Sequence, residues 1–208
     1  MSNRKTVSNR KRPINRVAFI GTYVPRQCGI GTFTHDIATA ISEKGVDTQV
    51  VAMNDRREGY DYPSIVSYQL YQHDADQYCD AAEYLNWQDL DVVCVQHEFG
   101  IYGGEAGRHL LTLLQELKAP VVTTLHTILE NPNTSQYDVM VELCQLSARV
   151  VVMSQRGKQI LENTYGIDPE LIAVVPHGIP IVDELRIPDG DEQQILTFGL
   201  IEPSRCIE

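Results

Sequence analysis

Short runs of aliphatic and β-branched residues alternate along this chain with longer segments of helical periodicity. The run Val92-Val93-Cys94-Val95 would carry no charged or strongly polar side chain on either face of a strand. Strands of this kind are covered on both faces, as in a parallel sheet. Their alternation with helical segments indicates right-handed βαβ units. The chain is therefore predicted to have an α/β fold, a Rossmann-like open parallel sheet with helices on both faces.

Seven strands and five helices are predicted from this alternation. The strands are expected at 16–21, 47–53, 64–70, 91–96, 120–125, 149–153 and 171–175. The helices are expected at 32–44, 74–87, 105–117, 135–146 and 155–165. Gly45 and Gly166 follow two of the helices, as C-terminal glycines commonly do, and Ser154 is placed to cap the last helix.

Charge is distributed unevenly along the 208 residues. Residues 1–15 hold five Lys and Arg and no acid, whereas the whole chain has a net charge of -11. The acidic remainder would repel a phosphate backbone, so no nucleic-acid partner is expected. Residues 1–15 are interpreted as a disordered basic tail, which is either solvated or in weak peripheral contact with an anionic membrane surface.

The remaining composition bears on compartment and domains. No apolar run reaches the length of a membrane span, no secretory signal is present, and the five cysteines form no CxxC pair. A cytoplasmic location with reduced thiols is therefore predicted. Residues 16–180 are expected to form the Rossmann-like domain. Residues 181–208 are expected to be a linker and the first strand, at 194–199, of a missing second domain.

Ligands of open α/β sheets bind beyond the carboxyl ends of the strands, so the loops at those ends hold the candidate site residues. After the first strand, the pattern GxxxxGK[ST] fails because no Lys follows Gly31, and GxGxxG fails because Thr34 replaces the third glycine. Two glycines at a helix start still suit an anion. The candidates are Gly29, Ile30, Gly31 and Thr32. The alternative is a glycine-rich turn with Thr32 as the helix cap.

His97 and Glu98 follow the strand at 91–96. The zinc pattern HExxH fails because Ile101 replaces the second His, and no other spacing offers a His and Cys ligand set, so no metal is expected. His97 and Glu98 are predicted to hydrogen-bond hydroxyl groups of a sugar or nucleotide. The alternative is that the two side chains pair with each other at the strand end.

Two further candidates follow later strands. His126 comes directly after the strand at 120–125, where it could hydrogen-bond a ligand hydroxyl or stabilise developing charge. A satisfied structural histidine is the alternative. Arg156 lies in the first turn of the helix at 155–165 and faces either the crevice or solvent.

Taken together, these loops resemble the acceptor-side, N-terminal domain of family-4 retaining glycosyltransferases of the GT-B fold. The matching stretches are PRQCGIGTF at 25–33, QHEFG at 96–100, TLHT at 124–127 and VVPHG at 174–178. The tail at 197–208 is similar to the segment that opens the donor-binding domain. Arg205-Cys206 stands there in place of a common Lys-Gly pair, and Arg205 keeps the positive charge for a diphosphate.

The resemblance implies transfer of a hexosyl group from a nucleotide-sugar donor to a carbohydrate or lipid-linked acceptor, with retention. It implies that Gly29 and Gly31 approach the donor phosphate, that His126 is the catalytic residue, and that no cofactor or metal is bound. The family's paired glutamates are absent. The chain is therefore expected to be a truncated form, inactive alone, that could self-associate through the face its missing domain would cover.

Two other classes of function stay open on the sequence. An NAD-linked oxidoreductase would place an acid at the end of the second strand, where Asp55 stands, although the third glycine of its motif is missing. A non-catalytic α/β module would instead dock a partner through an exposed apolar patch. Since similarity of fold alone does not decide among these functions, the choice depends on the residues of the loops.

Overall fold

A computed structural model describes residues 13–178 as a parallel sheet flanked by helices. The strands are β1 (Arg16–Gly21), β2 (Asp47–Asn54), β3 (Val66–Tyr71), β4 (Val92–His97), β5 (Val121–Leu125), β6 (Arg149–Val152) and β7 (Ile172–Val174). The helices are α1 (Gly29–Ser42), α2 (Asp76–Asn86), α3 (His109–Glu116), α4 (Thr134–Leu146) and α5 (Gln155–Tyr165). All seven strands are parallel, in the order β3-β2-β1-β4-β5-β6-β7.

The two faces of this sheet are covered by different helices. α1 packs through Ala38 on one face, against a cluster that includes Phe19 and Val50. The opposite face, which includes Ile20 and Val93, packs against α2, α3, α4 and α5 in one continuous core. Neighbouring residues of β1 thus enter different cores, as alternation along a strand requires. The predicted α/β fold with helices on both faces is confirmed.

β1 is the strand at which the chain changes direction across the sheet. From β1 the chain passes through α1 to β2 on one side, whereas β4, on the other side of β1, begins the progression to β5, β6 and β7. The loops that leave β1 and β4 therefore diverge. Open α/β sheets bind ligands in the crevice that such divergence leaves beyond the carboxyl ends of the strands.

Most element boundaries lie within two residues of the prediction, but the third predicted helix is much shorter than expected. It was expected at 105–117 and is reduced to α3, preceded by a short 3-10 turn at Glu105–Gly107. Gly104, Ala106 and Gly107 have φ values of 77°, 53° and 79°. A right-handed helix does not continue through residues in the left-handed region, so α3 begins only at His109.

Part of the predicted organisation falls outside the described residues. The first twelve residues of the predicted basic tail lie there, as do residues 179–208 with the predicted strand and Arg205. Among residues 13–178, no helix combines the length and the apolar character needed to cross a bilayer.

The loop after β4 is held to the sheet by close backbone contacts. A Cβ atom on Gly103 would lie 1.8 Å from the carbonyl oxygen of Gln72, so only glycine fits there. The amide of Gly103 donates to the hydroxyl of Tyr78 at 2.9 Å, and that hydroxyl donates to the same Gln72 carbonyl at 2.8 Å. The buried hydroxyl of Tyr102 donates to the carbonyl of Gln96 at 2.8 Å. These bonds fasten the loop to the ends of β3 and β4.

We expect Gly103→Ala to lower the free energy of unfolding by about 2 kcal/mol or more, because the new methyl group overlaps the Gln72 carbonyl. Urea denaturation of the purified chain measures this loss. Gly100→Ala is the matched control in the same loop, since a Cβ there has no neighbour within 4 Å among the described residues. The control should change stability by less than about 0.5 kcal/mol. Equal losses in the two variants would contradict the close approach.

Candidate functional site

Three segments meet at one edge of the sheet. The loop after β1 leads into α1, Gln96 and His97 end β4, and His126 follows β5. The backbone amide of His126 donates to the carbonyl of His97 at 3.0 Å, which extends the pairing of β4 and β5 by one residue. The glycine-rich turn, the end of β4 and His126 therefore lie together beyond the carboxyl ends of neighbouring strands.

The N-terminus of α1 is open at this edge. The helix begins at Gly29, three residues before the predicted start, so the alternative in which Thr32 caps it is wrong. Cys28 holds the N-cap position, and its side chain makes no capping hydrogen bond to the described helix. Gly29 and Thr32 are exposed and Ile30 is half-buried. The exposed first turn carries the N–H groups and partial positive charge that favour oxygen anions.

The turn before α1 is fixed by Arg26, which the sequence analysis did not single out. Its guanidinium donates to the carbonyl of Met53 at 2.8 Å and to Oε1 of Gln72 at 3.4 Å, and it pairs with Asp55 at 3.5 Å. Gly31 packs so closely against this turn that a Cβ there would lie 3.3 Å from the Arg26 carbonyl oxygen. Free space for a ligand thus lies at Gly29, whereas Gly31 makes room for the chain itself.

His126 contacts both β4 and α1. Its Nε2 lies 3.0 Å from Oε1 of Gln96, and its half-buried ring packs edge-on against Phe33, with centroids 4.8 Å apart and planes at 86°. Gly21 at the end of β1 leaves room for Gln96, since a Cβ there would lie 3.0 Å from the Gln96 Cβ. β1, β4, α1 and His126 are therefore in contact at one place. His126 was predicted as a site residue from the sequence, whereas Gln96 and Phe33 were not.

His97 lies on the other face of β4 and has no exposed surface. Its ring stacks on Tyr102 at 6.0 Å and meets the edge of Phe99 at 5.0 Å. Neither ring nitrogen has a hydrogen-bond partner within the described part of the chain. Burial, with a smaller effect of the nearby His126, lowers the pKa of His97 to about 3. The ring is therefore neutral at neutral pH, and no ligand hydroxyl reaches it in this conformation.

Glu98 joins the loops that follow β4 and β5. Its carboxylate accepts hydrogen bonds from the hydroxyl of Thr127 and, at 3.2 Å, from the amide of Phe99. The alternative in which His97 and Glu98 pair with each other is therefore wrong. Glu98 is half-buried and its partner Thr127 follows His126 directly, so this carboxylate belongs to the edge where the other candidates meet.

Arg156 lies at the same edge but on the surface. Ser154 caps α5 as predicted, because its hydroxyl accepts from the amide of Gly157 at 3.0 Å. The Arg156 guanidinium pairs with Glu130, in the loop after β5, and its side chain is 66% exposed. An ion pair of this exposure is easily exchanged for another anion, since solvent screens it strongly.

The surroundings of Asp55 disfavour dinucleotide binding. Asp55 follows β2 as that alternative requires, but its carboxylate pairs with Arg26 and accepts from the hydroxyl of Tyr60 at 2.9 Å. Thr34, at the position of the third glycine, is buried, and its hydroxyl donates to the carbonyl of Ile30 at 2.7 Å. The acid is engaged within the chain, and the close contact that the third glycine provides is replaced by a side chain.

The buried His97 predicts a pH-dependent stability. Its pKa is about 3 in the folded chain and 6.5 when unperturbed, so between these values only the unfolded chain binds the proton. The free energy of unfolding should therefore fall as the pH drops below 6.5, by up to about 1.4 kcal/mol per pH unit from this residue. Urea denaturation across this range should show a shallower dependence for His97→Phe. The exposed His177 serves as control, and a slope shared by His97→Phe and His177→Gln would contradict the assignment.

The chain is similar to one protein family and to several solved structures. The chain matches the family described as Glycosyltransferase Family 4 over residues 28–182. No curated protein sequence matches it. A glycosyltransferase from Rickettsia africae ESF-5 is 16% identical, with a TM-score of 0.56 over 79% of this chain and 44% of its own.

Two further solved structures share the fold. The apo form of lipopolysaccharide outer core galactosyltransferase WaaB is 11% identical, with a TM-score of 0.55 over 81% of this chain and 47% of its own. An alpha-glucosyltransferase, in complex with UDP and a 13-mer DNA containing a HMU base, is 16% identical, with a TM-score of 0.54 over 75% of this chain and 41% of its own. The chain thus spans less than half the length of these structures. It belongs to glycosyltransferase family 4 and has the Rossmann-like fold of a GT-B N-terminal domain.

Proposed function

We propose that this chain is the acceptor-side domain of an enzyme that transfers a hexosyl group from a nucleotide-sugar donor to a carbohydrate or lipid-linked acceptor, with retention. The observation that carries the proposal is the meeting of the open α1 N-terminus, the Gln96–His126 contact and the Glu98–Thr127 contact at one edge of the sheet. Membership of family 4 supports the reaction class.

The open end of α1 suits the diphosphate of the donor. Backbone N–H groups of the first turn and the helix dipole stabilise negative charge, which grows on the diphosphate as the glycosidic bond breaks. Gly29 leaves space for that approach, since a Cβ there has no neighbour within 4 Å among the described residues. In this proposal the domain binds the leaving group through its backbone rather than through a metal.

His126 is positioned for the sugar. Its ring contacts Phe33, which lies one helical turn after the N-terminus of α1. This half-buried ring can hydrogen-bond a hydroxyl of the transferred hexose. Such a bond orients the anomeric carbon relative to the acceptor, which shares the crevice. Glu98 and Thr127 border the same space and would contact the acceptor side.

The charge of the chain favours a carbohydrate or lipid-linked acceptor. One structural neighbour is solved with DNA. This chain, however, has a net charge of -11, and because five of its cations lie in residues 1–15, the remainder is still more acidic. A phosphate backbone would be repelled by that remainder. The five cations of residues 1–15 would be attracted to an anionic membrane surface that carries a lipid-linked acceptor.

Binding of the donor by the 15N-labelled chain tests the proposal. UDP-glucose, UDP-galactose and GDP-mannose should shift the amide signals of residues 28–34, 96–98 and 126–127, and NAD should not. Turnover of the donor by the pure chain would contradict its expected inactivity alone. Shifts with NAD and none with nucleotide sugars would overturn the proposed donor.

His126→Gln separates a binding histidine from a structural one. We expect the affinity for the nucleotide sugar to fall about tenfold, the loss of one hydrogen bond to a buried ligand group, with unfolding free energy changed by less than about 1 kcal/mol. The same titration and urea denaturation measure both quantities. The control is His73→Gln, an exposed histidine after β3. An unfolded His126 variant, or one that keeps full affinity, would support the structural role instead.

A further inference from the structure

We propose that Gln96 is a positioning residue that holds His126 in the tautomer with the proton on Nε2 and fixes the plane of its ring. The meaning of this tautomer for sugar transfer rests on the proposed function. The contact itself rests only on the side chains that the structure brings together.

The chemistry of the contact sets the tautomer. Oε1 of Gln96 is an amide oxygen, which only accepts, and it lies 3.0 Å from Nε2 of His126. With the amide oxygen placed toward it, Nε2 carries the proton in this proposal. In the neutral imidazole the proton is then absent from Nδ1, which becomes the accepting nitrogen.

The surroundings hold both side chains in place. Gln96 is 1% exposed, and its Cβ lies 3.0 Å from where a Cβ at position 21 would stand. The His126 ring is met at its edge by Phe33, with the two planes at 86°. Its backbone amide is bonded to the carbonyl of His97. The imidazole is thus constrained by α1, by β4 and by its own backbone.

The amide of Gln96 has a cost that its role explains. Its Nε2 is buried and has no hydrogen-bond partner among residues 13–178. A leucine would fill much of the same volume without burying an unpaired donor. Gln96 thus departs from the rule that buried polar groups are hydrogen-bonded. Because this departure lies beside a candidate site, a function accounts for it better than the stability of the fold does. The function that fits is the direction of its oxygen toward His126.

The consequence concerns how the imidazole meets a ligand. Since the Nε2 proton points to Gln96, a hydrogen bond between His126 and a sugar hydroxyl would be made at Nδ1, with the imidazole as the acceptor. The hydroxyl then donates its proton into the hydrogen bond, so the oxygen of that hydroxyl becomes more electron-rich. This role is distinct from that of a proton donor to the leaving group.

Imidazole NMR of the 15N-labelled chain tests the tautomer directly, since protonated and bare ring nitrogens have well-separated 15N shifts. In the wild type we expect a protonated Nε2 and a bare Nδ1 for His126, with an Nε2 proton slow enough in exchange to be observed. Gln96→Leu should lose that proton signal. Gln96→Glu, which keeps an accepting oxygen, should retain it and shift it to lower field.

Two variants serve as controls. His126→Gln assigns the signal by removing it. Gln115→Leu removes an amide that donates to Glu142 on the surface at 2.7 Å, and it should leave the signal unchanged. A proton on Nδ1 in the wild type, or an unaltered Nε2 signal in Gln96→Leu, would overturn the proposal. If Gln96→Leu fails to fold, an identical Nε2 signal in the wild type and Gln96→Glu overturns it.

Donor binding gives the second readout. Gln96→Leu should raise the dissociation constant for the nucleotide sugar about tenfold while its urea midpoint stays equal or rises, whereas Gln96→Glu should restore part of the affinity. A lower midpoint with unchanged affinity for the nucleotide sugar would indicate a structural role instead and so overturn the positioning role. If no nucleotide sugar binds the wild type, the proposed function fails, and the NMR comparison still decides the tautomer.

Discussion

The pairing of β1 with both β2 and β4 is the constraint from which the site follows. Gly21 pairs with Ala52 of β2, and Ile20, one residue earlier, pairs with Val95 of β4. Because the chain leaves β1 toward one side and β4 toward the other, their loops separate and open a crevice. This crevice is lined by the turn into α1, the end of β4 and the residue after β5, which are far apart in sequence.

Continuous apolar runs located the strands well, because burial on both faces leaves few polar positions to confuse the pattern. Once the strand order is known, the right-handed βαβ crossovers account for α1 lying on one face of the sheet and the later helices on the other. The third helix was predicted too long, because contacts between residues distant in sequence decide where it begins. Gly103 abuts the backbone of Gln72, and a window of neighbouring residues holds no sign of that contact. Ala106, normally a good helix former, has a φ of 53° there.

His97, Glu98 and His126 could be found because they come directly after predicted strands, but their partners could not. Gln96 lies inside β4, where alternation predicts only a buried polar side chain, and nothing local indicates His126 as its partner. His97 was assigned to a loop, yet β4 extends through it and Tyr102 folds over its ring. The extension of β4 by one residue thus decides whether His97 is accessible to a ligand or buried.

Gln72 anchors both walls of the crevice. Arg26, in the turn before α1, donates to its side chain, and Gly103, in the loop after β4, rests on its carbonyl oxygen. Two loops that leave different strands therefore rest on one residue directly after β3, and the positions of both depend on how that residue is placed.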